Sequence, residues 1–278
     1  MRPASSIPPD TVMRRFALTQ AEICAETPMA RVWSVRRADG TLAALKLYRA
    51  GHLGNEATGL EYLRRCTGDP AVTIHDAGPD AVVMGWLEGP SLGDLARQGD
   101  PVQADGDLAA VAQALRLKSL SAAGLLPLTE LFRPLLVAKL ATPQAQFAQQ
   151  VASKCLSDLA TGRWPVVALH GDLHHDNVIL TSGGLRVIDA KGLAGPAAYE
   201  LANAFRHPRG GAGYALQPAV IARRLSLWSD ALDCSSTDLL RWAIAKVALS
   251  MVWAGDERPG ELAVLRALVR EGARSGVE

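Results

Sequence analysis

The hydrophobic pattern of this chain changes period at Gly89-Pro90-Ser91, and that change constrains the fold more than any other feature. Before it, apolar residues come in short β-prone runs. Residues 31–38 and 41–48 are rich in Val, Leu and aromatic side chains and are parted by Asp39-Gly40, a dipeptide that favours a type I′ hairpin turn. Residues 71–76 and 81–87 form a second pair around Gly78-Pro79-Asp80, and a helical stretch, 53–66, lies between the pairs. Beyond Ser91, Leu- and Ala-rich segments follow a helical period over 107–123, 128–140, 145–160, 218–232, 237–254 and 260–273. A β-like island of short apolar runs at 166–169, 178–180 and 186–188 interrupts them. The expectation is an α+β chain of two lobes. Residues 1–88 form a small β-sheet lobe with one helix, residues 89–278 a larger, mainly helical lobe, and a hinge near 85–89 joins them. A length of 278 residues, about twice the commonest domain size, suits that division.

Charge and cysteine usage narrow the class. Twenty-nine basic side chains against 28 acidic ones give no bulk attraction to nucleic acid or to an anionic membrane. No apolar stretch approaches the ~18 residues that span a bilayer, and the proline-rich first ten residues do not read as a signal peptide. Cys24, Cys66, Cys155 and Cys234 show no C-x-x-C spacing and read as buried thiols in a reducing compartment. A soluble cytoplasmic protein with no nucleic-acid, membrane or obligate protein partner is expected.

The densest polar cluster is His170-Gly171-Asp172-Leu173-His174-His175-Asp176-Asn177, set between apolar runs and followed by Ile188-Asp189-Ala190-Lys191-Gly192. An Asp followed five positions later by Asn, then by a second Asp at the end of a short strand, reproduces the spacing of a phosphoryl-transfer site. There one Asp orients the attacking hydroxyl, and the Asn and second Asp supply hard oxygen ligands to Mg²⁺. Asp172, Asn177 and Asp189 take those places. Lys46, in the apolar strand Ala43-Ala44-Leu45-Lys46-Leu47-Tyr48, matches a strand lysine that reaches ATP phosphates. On a wheel of ~100° per residue, Glu56 lies at the edge of the Leu53, Ala57, Leu60, Leu63 stripe and is a better partner for it than Glu61. His170, His174 and His175 do not complete a zinc site, because no further His or Cys is suitably spaced.

These residues resemble the aminoglycoside phosphotransferases, especially the streptomycin 6-kinase and hydroxyurea kinase branch. The resemblance rests on 169–180, 188–192 and Tyr199-Glu200-Leu201-Ala202-Asn203, and extends to Asp39-Gly40-Thr41, Glu56-Ala57 with Gly59, the segment 87–92 and the segment 249–254. It implies a protein-kinase-like two-lobed fold, ATP and Mg²⁺ as cofactors, and O-phosphorylation of a small hydroxylated molecule, most of all an aminoglycoside such as streptomycin. By position it places the catalytic base at Asp172, metal ligands at Asn177 and Asp189, and phosphate positioning at Lys46 and Glu56. It also implies adenine recognition by the main chain of Gly85, Trp86 and Leu87, and a structural role in the loop for His170. Glu200, on an expected helix over 197–205, is the candidate to hold a cationic acceptor, with a solvated helix position as its alternative.

Two departures from the family pattern stand out. Glu26-Thr27-Pro28-Met29-Ala30 replaces the glycine-rich phosphate loop of protein kinases, and Ala190 stands where the branch usually has Pro. Two other functions compete: a metabolic kinase for a sugar or amino alcohol, and a catalytically silent binding protein on the same fold. The presence of Lys46, Asp172, Asn177 and Asp189 together weighs against the silent reading. Trp228, Trp242 and Trp253 sit at helical apolar positions and are expected in the core.

Overall fold

The short apolar runs of the first third close into one antiparallel sheet. In the computed structural model, which describes residues 7–274, helix α1 (Asp10–Arg15) precedes strands β1 (Thr19–Glu26), β2 (Ala30–Arg36) and β3 (Leu42–Tyr48). Helix α2 (Ala57–Arg65) and strands β4 (Ile74–Ala77) and β5 (Ala81–Gly85) follow. The sheet order is β1-β2-β3-β5-β4, with every neighbouring pair antiparallel. Side chains alternate between its faces. Trp33, Val35, Leu45 and Val83 bury one face against Val12 of α1, while Tyr48 and Val82 bury the other against Leu60 of α2. Lys46, in register with Val82, therefore points to the α2 side, into the space between the lobes.

The β2–β3 hairpin forms around the expected residues through a different turn. The Gly40 amide donates to the Arg37 carbonyl and the Arg37 amide to the Thr41 carbonyl, each at 2.9 Å, and of Asp39 and Gly40 only Gly40 has positive φ. A type I′ turn needs positive φ at both. The connection is instead a three-residue loop ending in a left-handed glycine, with the Asp39 carboxylate accepting from the Thr41 amide and hydroxyl.

The larger lobe begins at α3 (Leu92–Arg97), whose N-terminus Ser91 and Asp94 close as a capping box. Helix α4 (Pro101–Leu117) starts six residues before the expected position, because Asp100 caps it and Pro101 is pre-shaped for a first turn. Strand β6 (Leu126–Pro127) is followed by α5 (Leu128–Leu131) and α6 (Arg133–Val137), where one helix was expected. Pro134 lacks the amide that would continue the hydrogen-bond ladder and breaks the run. Helix α7 (Pro143–Ala160), β7 (Val167–Leu169), the β8 (Val178–Thr181)–β9 (Gly184–Val187) hairpin and β10 (Leu193–Gly195) come next. The described residues end with α8 (Ala212–Ala215), α9 (Pro218–Leu232), α10 (Ser236–Ala254) and α11 (Pro259–Arg274). The expected helix over 197–205 is two single 3₁₀ turns, Ala197–Tyr199 and Ala204–Arg206.

Helix α10 is buried on nearly every face and packs on α7, α9 and α11. Its Trp242 meets Phe132 and Tyr199 edge-on at ring distances of 5.8 and 5.6 Å. Such pairs each add about 0.5–1.5 kcal/mol beyond burial, and they fix the turn from which Glu200 and Asn203 project. Trp228 and Trp242 are core residues as expected, whereas Trp253 is 53% exposed near the end of α10. Cys66 and Cys155 are buried and Cys234 is half-buried, but Cys24 is exposed on β1, which lies at the sheet edge with only β2 beside it. Among the described residues no helix is long and apolar enough to cross a membrane.

The lobes are held by more than the hinge. Tyr62 and Leu63 of α2, and Cys66 just after it, belong to the same buried cluster as the large lobe. A Cβ on Gly59 would lie 1.8 Å from the Ala190 carbonyl oxygen, and one on Gly192 would lie 2.0 Å from the Thr58 carbonyl oxygen. Only glycine at both positions lets α2 ride on the 188–192 loop this closely. The Thr58 hydroxyl closes the contact by donating to the Lys191 carbonyl at 2.8 Å.

Candidate active site

Lys46 reaches from β3 between two carboxylates, donating to Asp189 Oδ1 at 2.8 Å and to Glu56 Oε2 at 3.3 Å. Burial works against its ammonium, but the charges of Asp189 and Glu56 outweigh burial and hold its pKa above the ordinary lysine range. Glu56 lies in the 3₁₀ turn Gly54–Glu56 that leads into α2, and its other oxygen accepts from Lys191 Nζ at 2.5 Å. Glu61 instead pairs with Arg65 on its own helix at 3.0 Å. The Lys46–Glu56 pairing read from the helical wheel is thus formed, and Lys191 joins it. Leu60, Leu63, Ile74, Val82, Met84 and Ala190 surround this charged end with apolar surface. Gly85 ends β5 with its amide given to the Thr73 carbonyl at 2.8 Å, and Trp86 and Leu87 follow half-buried where the lobes join.

Asp189 adopts φ +59, a left-handed conformation that costs a non-glycine residue energy and persists only where the surroundings over-determine it. His170 supplies part of that constraint. Its Nδ1 accepts from the Asp172 amide at 3.3 Å, which leaves the proton on Nε2, and Nε2 donates to the Ile188 carbonyl at 2.9 Å. Burial pushes the His170 pKa down to about 4, so the ring is neutral in this role. The His170 carbonyl accepts from the amides of Lys191 and Gly192, binding the two loops in both directions.

Asp172 is half-buried, and its Oδ1 accepts from Asn203 Nδ2 at 2.8 Å. Burial disfavours its charged form, but the cationic groups around it, His174 when protonated, Lys246 and Lys191, outweigh burial and keep the carboxyl below its usual range. Asn177 Nδ2 donates to the Asp172 carbonyl at 3.0 Å, which turns Asn177 Oδ1 away from that bond. Asn177 Oδ1 and the Asp189 carboxylate are hard oxygen donors, a set suited to a small divalent cation such as Mg²⁺.

Glu200 occupies neither of the positions read from the sequence. It is 5% exposed, and its oxygens accept the amides of His170 and Gly171 at 2.9 and 3.0 Å. Each oxygen takes one backbone amide beneath the loop, so the buried Glu200 braces the backbone that carries Asp172 and does not present its carboxylate to solvent. Burial pushes its carboxyl up to about 7, with the two amide donors pulling the other way. Glu200→Gln turns an NH₂ toward an amide donor, and an unsatisfied buried group of this kind costs about 1–3 kcal/mol. Thermal unfolding should record a lower Tm. Because the folded-state pKa lies above the unfolded value near 4.5, the wild-type contribution is fully present below that value and is lost as pH rises through about 7. The wild-type advantage over Glu200→Gln should therefore shrink from pH 5 to pH 7, and an advantage that grew instead would contradict the burial argument.

Two buried networks were not legible as site features. Asp105 of α4 is fully buried and is bound by His175 Nε2 and Arg224 Nε, each at 2.9 Å. Burial opposes its charge, but these partners hold its pKa down to about 2. A carboxylate on the buried stripe with Leu108, Ala109 and Ala112 was the available signal. His174 and His207 stack at 3.7 Å beside Asp176, whose carboxylate takes Arg97, the His207 ring and the Arg209 amide. Parallel rings do not aim their lone pairs at one point, and the Asp176 oxygens are occupied, so this trio braces the loop and suits no zinc ion.

Known proteins resemble this chain over most of its length. The profile of the aminoglycoside/hydroxyurea antibiotic resistance kinases matches residues 15–258. A streptomycin 3″-kinase of Klebsiella pneumoniae is 32% identical over 249 residues, covering 87% of this chain and 90% of that protein. In structure, a thermostable mutant of an aminoglycoside phosphotransferase superposes with a TM-score of 0.65 at 17% identity, over 95% of this chain and 99% of the other. An amicoumacin kinase in complex with AMP-PNP, Ca²⁺ and Ami superposes with a TM-score of 0.59 at 15% identity, over 96% and 93%. The chain belongs to the aminoglycoside/hydroxyurea antibiotic resistance kinase family, on a protein-kinase-like fold, and is a phosphotransferase acting on hydroxyl groups of small molecules.

Proposed function

We propose that the protein transfers the terminal phosphoryl group of ATP to a hydroxyl of an antibiotic in the cytoplasm, with streptomycin the first acceptor to test. The observation that carries this reading is the arrangement of two carboxylates on tied loops. Asp189 is paired with Lys46 at the nucleotide end, and Asp172 is held by Asn203 on a loop bound to Asp189 through His170. Asp172 accepts a hydrogen bond from the acceptor hydroxyl and orients its oxygen for in-line attack. Lys46, positioned by Glu56, contacts the α- and β-phosphates, and the main chain of Gly85, Trp86 and Leu87 faces adenine above the apolar lining. Asn177 and Asp189 would hold Mg²⁺, which when bound neutralises charge on the transferred phosphate. The 32% identity to a streptomycin 3″-kinase favours streptomycin as acceptor.

The test is ADP release by the purified protein with MgATP and either streptomycin or hydroxyurea, followed by phosphorus-coupled NMR of the product to identify the hydroxyl. Acceptor-dependent ADP release with streptomycin, and protection of cells expressing the protein, are expected. Absence of acceptor-dependent release with both compounds would reject streptomycin and hydroxyurea as acceptors and turn the search to other aminoglycosides, sugars and amino alcohols.

A further inference from the structure

Lys246 is a lysine inside the most buried helix of the protein. It is 6% exposed and shares one face of α10 with Leu239, Ala243 and Ser250. Among the described residues its ammonium has one hydrogen bond, to Ser250 Oγ at 3.0 Å, and Ser250 in turn donates to the Lys246 carbonyl. Nζ also lies 4.9 Å from the ring centre of Trp253, the exposed tryptophan one further turn along. An ammonium carries three donors, so this one is under-used.

The charges whose fields reach it are Asp172 in the loop after β7, Arg206 in the second 3₁₀ turn, Glu261 of α11 and Lys191 in the 188–192 loop. Glu261 is spent on Arg206, whose Nη1 donates to both of its oxygens at 2.7 Å. Asp172 is the remaining anion, and its Oδ1 is already taken by Asn203. Burial pushes the Lys246 pKa down to about 8, partly offset by Asp172. A buried, incompletely bonded ammonium is costly, and an oxygen atom of a bound molecule would supply the partner that Lys246 lacks among the described residues.

We propose that Lys246 and the exposed face of Trp253 form the acceptor subsite, Lys246 donating to an oxygen atom of the acceptor beside the hydroxyl that meets Asp172. The proposal rests on the phosphotransferase reading above and reverses the electrostatic expectation for the acceptor. With the Lys191–Glu56 and Arg206–Glu261 pairs each neutral as a unit, Lys246 is the ammonium on this side with no carboxylate bonded to it among the described residues, so cationic groups of the acceptor point away from Lys246 and an oxygen-rich face lies against it.

The test compares wild type with Lys246→Met, Lys246→Arg and Trp253→Ala, using MgATP with streptomycin and with hydroxyurea, each variant first checked by thermal unfolding. Loss of a charged hydrogen bond should raise the acceptor KM by ~10-fold or more in Lys246→Met, with the KM for ATP within about twofold, and Lys246→Arg should recover part of the loss. Trp253→Ala should raise the same KM. An unchanged acceptor KM in Lys246→Met overturns the proposal, as does a rise in the KM for ATP alone, which would assign the ammonium to the donor phosphates. An arm independent of turnover uses wild-type protein and trace acetylation at pH 9, read by mass spectrometry. Lys246 should be modified and should be protected by streptomycin. If it stays unmodified while surface lysines react, it has no path to a ligand and the subsite fails. If it is modified and protected while no phosphate is transferred, the substrate reading falls and the subsite stands.

Discussion

Asp172→Asn is expected to lower kcat by ~10²-fold to 10⁴-fold while leaving the affinity for MgATP close to wild type. The size is that of losing one positioned acid–base group. The choice of Asn follows from the geometry. Asn203 donates to Asp172 Oδ1 at 2.8 Å, and the carbonyl oxygen of an asparagine can accept the same bond. The backbone there is held by other groups: the Asp172 amide by His170, its carbonyl by Asn177, and the preceding amides by Glu200. The substitution therefore removes the negative charge and leaves its scaffold, so a loss of rate cannot be attributed to a collapsed loop. Lys46, Glu56 and Asp189 are untouched, which is why nucleotide affinity by calorimetry should hold. A kcat within about threefold of wild type would remove Asp172 from the reaction, and a parallel loss of MgATP affinity would move it to the nucleotide side.

The two-lobed plan was legible because it is written in hydrophobic period, and α9 has the bounds its pattern predicts, 218–232. What failed to read correctly shares a physical cause. The hairpin turn depends on the sign of φ at Asp39, and the break at Pro134 on a single missing amide; each is a one-residue property inside a pattern that otherwise fits. The site divided along the same line. Lys46, Glu56, Asp172, Asn177 and Asp189 were marked by polar residues in apolar surroundings at fixed spacing. Glu200 was assigned to the acceptor because a sequence does not tell a carboxylate facing solvent from one turned under a loop; only its two backbone partners decide that. The buried charges of Asp105 and Lys246 leave little trace in the sequence, because one charge in a long apolar helix disturbs its period very little.

Asp189→Ala is expected to act on the other end of the reaction, with MgATP affinity and its dependence on Mg²⁺ both lost in calorimetry and kcat reduced by ~10²-fold or more. Without nucleotide, Asp189 neutralises Lys46, and Glu56 is shared between Lys46 and Lys191. Two carboxylates thus serve two ammonium groups in a chain that runs from the sheet to the 188–192 loop. Bound nucleotide would bring its own negative charge to Lys46, and the Asp189 carboxylate, at the more exposed end of the chain, is the member free to turn to a cation. Removing it leaves Lys46 and Lys191 competing for Glu56, so ATP without metal should bind no worse, and even somewhat better, than to wild type. That asymmetry separates a metal ligand from a merely structural carboxylate. Structural loss would weaken ATP binding with and without Mg²⁺ alike, whereas loss of a ligand weakens only the Mg²⁺-dependent part. Equal affinities for ATP and MgATP in Asp189→Ala, against a clear preference for MgATP in wild type, are the expected pair of results, and an undiminished Mg²⁺ preference in the variant would show that Asp189 holds no metal.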